Sequence, residues 1–491
     1  MPDTYILRFP PNIPRLTDLP KCTLLQVMRH LGTSDIVRLL QTCVYIHSLS
    51  QDRSLWVPLL ETTRARYPVG CPKHADLAQY TVQTLKNLIV SRFKLEKIWK
   101  LPSPKIVGHR VTSLHEGVQV HTIIGLVQGT DIALFCVETG HVVCWDSKLA
   151  APFPFPPIKT GRQLKEYSEP SESTHGVCSF VVISRDDHGT VWRYIIAVTH
   201  VNRKATRFES VRTEIQEPIY RFRSLFLTKD VVGAVTVKEG ADHCAITTSK
   251  VGAGARSAKE SISRMKLNQR ISKRHLLVAF TYKGHLYNIL ENGATAQIQH
   301  ISRKAFTSGR CEEPTDVFKV DIPNLGKMSN GEPYYMLPTC ASCGVAAAFV
   351  RQVSVVRQVR GVRQVRDATM FTFLPTTPVS SPTGDDGVSS PLAFPLSCAT
   401  EHVPGHPLSS NLICMDHGGL NIVAVLENHP PKLVLVRYHP ETQSTSTHHP
   451  DVAPSLDLDG LINVCVDDTA GIIFLTALRE SKRSFFTLRY A

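Results

Sequence analysis

The chain has 491 residues, is 42% hydrophobic and 20% charged, and carries a formal net charge of +13. One hydrophobic core rarely grows beyond about 250–300 residues, so this length predicts two domains, and the composition excludes a largely disordered chain. No apolar run reaches the roughly 18 residues of a membrane-spanning helix, and the first residues lack the pattern of a secretory signal, so we expect no membrane contact.

Cysteine usage indicates the compartment. The 13 cysteines are an odd number and are scattered along the chain. This pattern is typical of free thiols in a reducing environment and not of a disulfide framework. We therefore expect an intracellular protein, located in the cytoplasm, the nucleus or both.

The positive charge is unevenly distributed. Residues 1–110 contain 16 Lys and Arg against 7 Asp and Glu, and two further basic clusters lie at Lys250–Arg274 and Arg351–Arg366. A basic surface attracts either nucleic acid or an acidic protein.

After an N-terminal extension (1–15), residues 16–62 are predicted to form a compact helical module. Thr17 or Asp18 can cap a first helix that tolerates Pro20 in its first turn, and Gly32 separates it from a second helix starting at Ser34 or Asp35. Apolar residues recur at helical spacing through both helices and beyond them: Leu24, Leu25, Val27, Met28, Leu31, Ile36, Leu39, Leu40, Cys43, Ile46, Leu49, Leu55, Trp56, Leu59 and Leu60. A module of this size is too small to be stable alone, so its apolar surface requires a neighbour.

Residues 63–109 are predicted to be a linker with one long amphipathic helix over 76–100. Leu85, Ile89 and Trp99 belong to its apolar face, and Pro102 and Pro104 end it. This helix would fix the distance between the two halves of the chain.

Residues 110–491 are predicted to form a large all-β domain. Six segments each contain two β-rich runs around a Gly-, Asp- or Pro-containing turn, which is the pattern of a hairpin. They are 132–146, 179–198, 225–237, 276–290, 421–438 and 461–478. The spacing between the first four turns is that of propeller blades, so we favour a β-propeller, the alternatives being a β-sandwich or a pair of barrels. The predicted fold class is therefore α+β and multidomain.

Two regions of the β domain are predicted to contain loop insertions, near 250–274 and near 350–410. The second contains the tandem RQVSVVRQVRGVRQVRD and a stretch rich in Pro, Ser and Gly. The Arg/Val alternation is compatible with an exposed strand that has one basic face and equally with a solvated loop.

The helical module resembles the F-box, which docks receptor proteins onto the adaptor subunit of SCF-type ubiquitin ligases. The similarity is carried by LPKCTLLQVMRHLGTSDIVRLLQTCVYIHSLSQDRSLW, which begins at Leu19 and ends at Trp56. Two positions depart from the family pattern, because Cys22 replaces an acidic residue and Ile46 replaces a tryptophan. The linker helix followed by a β-rich domain is similar to fungal F-box proteins with propeller-like C-terminal domains.

The resemblance implies an adaptor-binding surface and a set of partners. The residues expected to bind the ligase adaptor are Leu19, Pro20, Leu24, Leu25, Val27, Met28, Leu31, Asp35, Ile36 and Leu39. The implied partners are the acidic adaptor subunit, a cullin bound through it, and a target protein captured by the β domain. We expect Leu19, Pro20, Leu24, Met28 and Ile36 to exceed what the module can bury, each contributing roughly 1.5–3 kcal/mol on a partner. The alternative is that they pack against the linker helix.

Catalytic signatures are absent from the sequence. It contains no GxSxG, GxxxxGK[ST], HExxH or GxGxxG motif. Cys340 and Cys343 have metal-ligand spacing but no second pair, Asp457-Leu-Asp459-Gly460 lacks the later Glu of a calcium loop, and VGAGARS (251–257) lacks the Lys of a phosphate loop. Asp146, after Trp145, is expected to orient a turn. We therefore expect no cofactor, no metal and no enzymatic activity.

The sequence thus favours a substrate-recognition adaptor of an SCF-type ligase. One alternative is a basic β-propeller scaffold that binds nucleic acid or other proteins, but aromatic residues are not interleaved with its basic clusters, so nucleic acid is not favoured. The other is a propeller-type hydrolase or lyase, which requires an acid/base set in the central channel.

Overall fold

The computed structural model describes most of the chain after residue 15. The described residues are 16–71, 76–113, 120–127, 129–149, 151–161, 163–168, 170–172, 176–201, 203–215, 221–228, 230–238, 240–251, 261–267, 270–271, 276–282, 284–291, 295–322, 334–338, 344–359, 362–378, 392–394, 398–416, 418–479 and 482–490. The N-terminal extension, VGAGARS except Val251, Cys340 and Cys343 lie outside them.

The N-terminal part is helical. Its α-helices are α1 (Lys21–Arg29), α2 (Thr33–Leu40), α3 (Val44–Ser48), α4 (Arg53–Arg66) and α5 (Val82–Trp99), with 3-10 turns at Leu16–Asp18, Leu49–Gln51 and Leu77–Gln79. We call residues 16–66 the helical head and α5 the linker helix.

Three predicted helix starts are wrong. Helix α2 begins at Thr33, with Gly32 as its cap residue, and not at Ser34 or Asp35. Helix α1 begins at Lys21 with Pro20 as its cap residue, because Thr17 and Asp18 belong to a separate 3-10 turn. The predicted helix over 76–100 is divided, since Asp76 caps the short 3-10 turn and Thr81 then caps α5 by accepting a hydrogen bond from the Thr84 N–H at 3.1 Å.

The β domain is a β-propeller with seven blades, each built on a four-stranded antiparallel core. The first strand of the domain is β1 (Gly108–Ser113), and blades 1 to 3 follow it. Blade 1 has β2 (Val120–Leu126), β3 (Ile132–Val137), β4 (His141–Asp146), β5 (Ala151–Pro152) and β6 (Ile158–Lys159); blade 2 has β7 (Gln163–Tyr167), β8 (Ser171–Glu172), β9 (Val177–Arg185), β10 (Val191–Val201) and β11 (Lys204–Glu214); blade 3 has β12 (Arg221–Leu227), β13 (Val231–Val237), β14 (His243–Lys250) and β15 (Ser261–Lys266).

Blades 4 to 7 complete the domain. Blade 4 has β16 (Leu276–Tyr282), β17 (His285–Glu291) and β18 (Thr295–Ile301), then helix α6 (Arg303–Thr307) and β19 (Cys311–Glu312), which joins blade 3, and finally β20 (Asp316–Asp321). Blade 5 has β21 (Tyr334–Pro338), β22 (Val345–Val359) and β23 (Val362–Pro375), a separate pair β24 (Thr377–Pro378) and β25 (Leu392–Ala393), and β26 (Ala399–Pro404). Blade 6 has β27 (His406–Pro407), β28 (Ile413–Met415), β29 (Asn421–Glu427), β30 (Lys432–His439) and β31 (Ser444–His448), and blade 7 has β32 (Leu461–Asp467), β33 (Ile472–Arg479) and β34 (Lys482–Arg489).

The ring is closed by the two ends of the domain. Strand β1 pairs antiparallel with β34, from Gly108 opposite Arg489 to Ser113 opposite Ser484, and so becomes the fourth strand of blade 7. Pairing both ends in one blade removes the open edge that an unclosed ring would leave.

Apolar side chains fill each of the seven junctions between neighbouring blades. Separate buried clusters join blades 1 and 2, 2 and 3, 3 and 4, 4 and 5, 5 and 6, 6 and 7, and 7 and 1. The ring is therefore held by sheet-on-sheet burial all the way around, which is how the near-continuous apolar runs of the sequence are buried.

The six predicted hairpins are confirmed, as is the propeller. Their turns need local backbone freedom: Gly140, between β3 and β4, has φ of 77° and donates its N–H to the Val137 carbonyl at 2.9 Å. Glycine occupies this left-handed region without the steric cost that a Cβ adds.

The predicted insertions are only partly loops. In the region 250–274, Ser261–Lys266 forms the strand β15. In the region 350–410, β22 and β23 form a long hairpin, so the described part of the tandem Arg/Val sequence, residues 351–359 and 362–367, is strand. The tandem sequence repeats every three residues, whereas a strand has a two-residue period, so the repeat did not favour strand over loop.

None of the helices in the described ranges is long and apolar enough to cross a membrane.

Candidate docking site on the helical head

The head has its own hydrophobic core, which it shares with α5. Trp56 and Leu60 from α4 pack with Leu85 and Ile89 from α5, and the Trp56 indole N–H donates to the Ser50 carbonyl at 2.8 Å. Ile46, at the position where the family pattern has tryptophan, is also buried in this core.

Three residues predicted to be uncovered lie inside this core. Leu24, Met28 and Ile36 are 1%, 0% and 1% exposed. The expectation that they present free apolar surface is therefore wrong, because they are buried in the core that the head shares with α5. They hold the head together and are not available to a partner in this conformation.

The other predicted site residues are more accessible. Leu19, Leu25, Leu31 and Leu39 are half-buried at the edge of the core, whereas Pro20, Val27 and Asp35 are exposed. These residues come from the segment just before α1, from α1 and α2, and, for Leu31, from the turn between the two helices.

Three strongly exposed apolar residues are absent from the set that the sequence predicted to bind a partner. Val44 is 87% exposed, Tyr45 42% and Leu16 41%, compared with 38% for Val27. Val44 and Tyr45 begin α3, whose buried positions continue the apolar stripe of Leu40, Ile46 and Leu49. In the sequence, these two residues are apolar but do not fit the helical spacing of that stripe, and this mismatch could have identified them as exposed. We call Leu16, Val27, Val44 and Tyr45 the exposed apolar set.

One aspartate fixes the angle between α1 and α4. Asp52 caps α4 by accepting from the Ser54 N–H at 2.8 Å, and its other oxygen lies 2.7 Å from Lys21 Nζ at the start of α1. The Lys21 ammonium, with the Ser54 hydrogen bonds, lowers the pKa of Asp52 to about 2. Asp52 therefore stays charged at physiological pH and positions the helices.

The head itself carries little net charge. Residues 16–60 contain four Lys and Arg (Lys21, Arg29, Arg38 and Arg53) against three Asp (Asp18, Asp35 and Asp52). Most of the positive excess of residues 1–110 lies after residue 60. Attraction to an acidic partner would thus come mainly from the linker region.

The segment after α4 makes close contact with two turns of the propeller. Gly129 has φ of 72°, and a Cβ there would lie 2.9 Å from the carbonyl carbon of Gly70; a Cβ on Gly418 would lie 2.8 Å from Pro68 Cγ. These glycines follow the first strands of blades 1 and 6. Their missing side chains let residues 68–70 approach the propeller.

A buried ion cluster fastens the linker helix to blades 6 and 7. Arg92 Nη2 lies 2.9 Å from Glu96 Oε2, Arg437 of β30 binds the same oxygen, and Arg92 also donates to the Asp468 carbonyl at 3.2 Å. The side chains of Arg92 and Arg437 are 2% and 1% exposed. Burial raises the pKa of Glu96, but Arg437 and Arg92 outweigh it, so the pKa lies below its usual value.

A chain of hydrogen bonds fastens the end of the linker helix to blade 6. His448 Nδ1 lies 2.7 Å from the Leu101 carbonyl, which can only accept, so Nδ1 carries the hydrogen. His448 Nε2 therefore accepts from the Ser446 hydroxyl at 2.7 Å, and the Ser446 oxygen accepts from His439 Nε2 at 2.7 Å. Burial, together with the nearby Arg437, lowers the pKa of both histidines, so the neutral forms that this chain needs are favoured.

Apolar packing completes the junction. Leu95 and Trp99 of α5 lie in the cluster between blades 6 and 7, where the Trp99 and Tyr490 rings are 5.2 Å apart. The head, the linker helix and the propeller are therefore in continuous contact.

The remaining motifs carry no assembled chemistry in the described part of the chain. Asp146 Oδ1 accepts from the Lys148 and Leu149 N–H groups at 2.9 and 2.8 Å, so it orients a turn, as predicted. Asp457 likewise accepts from the Asp459 N–H at 3.0 Å. Among the described residues, no group of three or more His, Cys, Asp or Glu side chains is arranged to hold a metal ion.

Comparisons with known proteins gave one family match and a similar solved structure. The family model described as F-box-like matches residues 16–60. The β-propeller domain of Cps50 (Swd1) from Myceliophteria thermophila is similar with a TM-score of 0.39 and 11% identity, over 77% of this chain and 99% of that one. No curated protein matches the chain. The protein therefore consists of an F-box-like domain at residues 16–60 followed by a seven-bladed β-propeller.

Proposed function

We propose that this protein is a substrate-recognition adaptor of an SCF-type ubiquitin ligase. Its F-box-like domain binds the acidic adaptor subunit and, through it, the cullin, and its propeller binds a target protein. The observation that carries the proposal is an F-box-like domain with an exposed apolar set, followed by a linker helix that a buried ion cluster fastens to a propeller.

The mechanism is control of proximity. A target bound to the propeller is held near the charged ubiquitin carrier, which raises the effective concentration of its lysines. The contacts of α5 with blades 6 and 7 support this role, because a firmly seated linker would keep that distance constant. Such a protein works inside the cell, in the cytoplasm, the nucleus or both.

Binding to the purified adaptor subunit tests the proposal. We expect the full chain to co-elute with the adaptor, and the double variant Val27→Glu/Val44→Glu to bind roughly tenfold to a hundredfold more weakly, since each valine contributes about 1–1.5 kcal/mol of apolar burial. The matched control is Leu149→Glu/Val201→Glu, which changes two propeller residues that are each 57% exposed.

Variants of Leu24 or Met28 cannot serve in this test, because those residues form the core. Unchanged adaptor affinity in Val27→Glu/Val44→Glu would assign binding to another surface of the head. Absence of any complex between the full chain and the adaptor would refute the ligase role. A complex that supports ubiquitin chain formation with cullin and carrier, and a variant that does not, would establish it.

A further inference from the structure

Hydrogen bonds join three surface segments of blades 7, 1 and 2. Arg110 of β1 donates from Nη1 to the Lys148 carbonyl at 2.8 Å, and the Ser147 N–H donates to the Asp131 carbonyl at 2.8 Å. The Asp131 N–H in turn donates to the Arg203 carbonyl at 3.2 Å. The three segments therefore form one continuous surface. We call its exposed residues the basic–apolar patch: Arg110, Lys148, Leu149, Val201, Arg203 and Lys204.

Two large apolar side chains of the patch are accessible to a partner. Leu149 and Val201 are each 57% exposed, more than Tyr45 or Val27 of the head. Both start from an ordered backbone, because Val201 ends β10 and the Leu149 N–H donates to Asp146 Oδ1 at 2.8 Å. Isolated exposed apolar residues are common on protein surfaces, but two on linked turns with basic residues around them suit an interaction site.

The charge around these two residues is positive. Four basic side chains belong to the patch, and two carboxylates lie beside it. Asp131 Oδ1 is 3.0 Å from Arg203 Nη2, whereas Asp146 is 3% exposed and accepts from main-chain N–H groups. Within the described ranges, no carboxylate forms an ion pair with Lys148 or Lys204. The patch therefore favours a partner with negative charge.

The patch lies beside the connection between the head and the linker helix. Asp131 follows Gly129 by two residues, in the turn between the first and second strands of blade 1. A Cβ on Gly129 would lie 2.9 Å from the carbonyl carbon of Gly70, in the segment between α4 and α5. A ligand on the patch would therefore be held close to the head.

The combination of apolar and basic residues narrows the choice of partner. The phosphodiester backbone of a nucleic acid supplies negative charge but no aliphatic surface that could cover Leu149 and Val201. A polypeptide segment with both acidic and large apolar residues supplies both: its apolar side chains bury those of the patch, and its carboxylates pair with the exposed lysines.

We propose that the basic–apolar patch binds a segment of the target protein in which Asp and Glu are interspersed with large aliphatic or aromatic residues. Burial of Leu149 and Val201 supplies binding energy, and Lys148 and Lys204 select for acidic residues. This inference rests on the proposed function, since it names the class of segment that the adaptor recognises.

The first experiment uses the full chain and an array of short peptides in three matched sets. The first set mixes Glu and Asp with Leu, Ile and Phe, the second has Lys in place of the acidic residues, and the third has Ser in place of the apolar residues. We expect binding to be concentrated in the first set, whose tightest member becomes the labelled probe. No binding in the first set, or equal binding in either of the others, would overturn the proposal.

Two variants test the assignment of the surface by fluorescence anisotropy. Leu149→Glu/Val201→Glu should bind the probe at least about tenfold more weakly, because it replaces both apolar contacts with charges that repel an acidic ligand. Lys148→Glu/Lys204→Glu should lose about tenfold, the effect of reversing two exposed ion pairs. The matched control Lys319→Glu/Lys432→Glu reverses two exposed lysines of blades 4 and 6 and should keep its affinity.

A second arm uses only the wild-type protein, so it does not depend on how a variant folds. A photoreactive benzoylphenylalanine replaces one apolar residue of the probe, and we expect its cross-links at residues 147–149 and 201–204. Cross-links confined to other parts of the propeller would overturn the proposal. So would binding of a short DNA duplex, or of vesicles containing phosphatidylserine, without binding of any peptide of the first set.

Leu149→Glu/Val201→Glu is also the control for adaptor binding, so this variant separates the two proposals. Retained adaptor binding with loss of the probe supports both of them. If the adaptor subunit binds the wild type but no acidic peptide does, the patch proposal fails and the proposed function stands. Peptide binding without any complex with the adaptor overturns the ligase role, and loss of the adaptor in this variant would assign the patch to the adaptor and overturn target binding there.

Discussion

The ion cluster that seats the linker helix gives a sharp test of how the two halves are joined. In the variant Glu96→Gln, Arg92 and Arg437 keep their positions but lose the carboxylate that compensates both charges. Their side chains are 2% and 1% exposed, so neither charge can be solvated without movement of α5. Removing one partner of a buried ion pair typically costs about 3–5 kcal/mol, and we expect a loss in this range.

Hydrogen exchange measures this loss where it occurs. We expect the amides of residues 92–99 to lose protection equivalent to about 3–5 kcal/mol, while the amides of the blade 2 strands, on another part of the ring, stay unchanged. The control Glu61→Gln removes an exposed carboxylate from α4 and should have little effect. The variant Arg92→Met/Glu96→Leu/Arg437→Met removes all three charges and should recover much of the protection, because apolar replacements of a buried ion cluster are often neutral.

A loss of protection of α5 below about 1 kcal/mol in Glu96→Gln, the value typical of an exposed ion pair, would show that Arg92 and Arg437 do not depend on this carboxylate. The blade 2 amides could instead lose as much protection as α5. In that case Glu96 would stabilise the whole propeller and not the seat of the linker helix.

Two further predictions concern the junction and the inner strands. In equilibrium unfolding, Gly129→Ala should destabilise the chain by more than Gly189→Ala. Both residues have positive φ, at 72° and 86°, but only at Gly129 would the added Cβ meet a neighbour, the backbone at Gly70. Equal losses of about 1 kcal/mol in the two variants would show that the contact with Gly70 is unimportant. Burial raises the pKa of Glu166, on β7, to about 7 from the ordinary 4.5. Between these pH values the folded chain binds more protons than the unfolded chain, so the wild type loses stability as the pH rises through them. Glu166→Gln should therefore be more stable than the wild type above pH 7, with a gain that shrinks between about pH 7 and 4.5 and vanishes below; a gain that is independent of pH would refute this.

The features that the sequence predicted correctly are local ones. A hairpin such as 132–146 needs only two apolar strands and a turn in which Gly140 adopts positive φ, and all three signals lie within fifteen residues. The F-box-like pattern is likewise contained in one short segment.

The features that the sequence did not predict depend on contacts between residues far apart in the chain. Leu24 and Met28 have the same apolar character as Val27, and only the packing of α1 into the core of the head decides that the first two are buried and the third is exposed. Glu96 and Arg437 are separated by 341 positions, so no pattern near either residue indicates the other. The tandem arginine repeat was ambiguous because its period of three matches neither a strand nor a helix.

The arrangement of the contacts bears on how the protein can act. The linker helix seats on blades 6 and 7, and blade 7 is also where β1 and β34 close the ring. Destabilising blade 7 would therefore weaken the contacts of the linker helix. Conversely, a force on the head would be transmitted to the strand pair that closes the ring. A rigid contact between the linker helix and the propeller is needed only if the distance between the head and a bound ligand must stay constant. An adaptor that holds a target at a set distance from a second protein has that requirement.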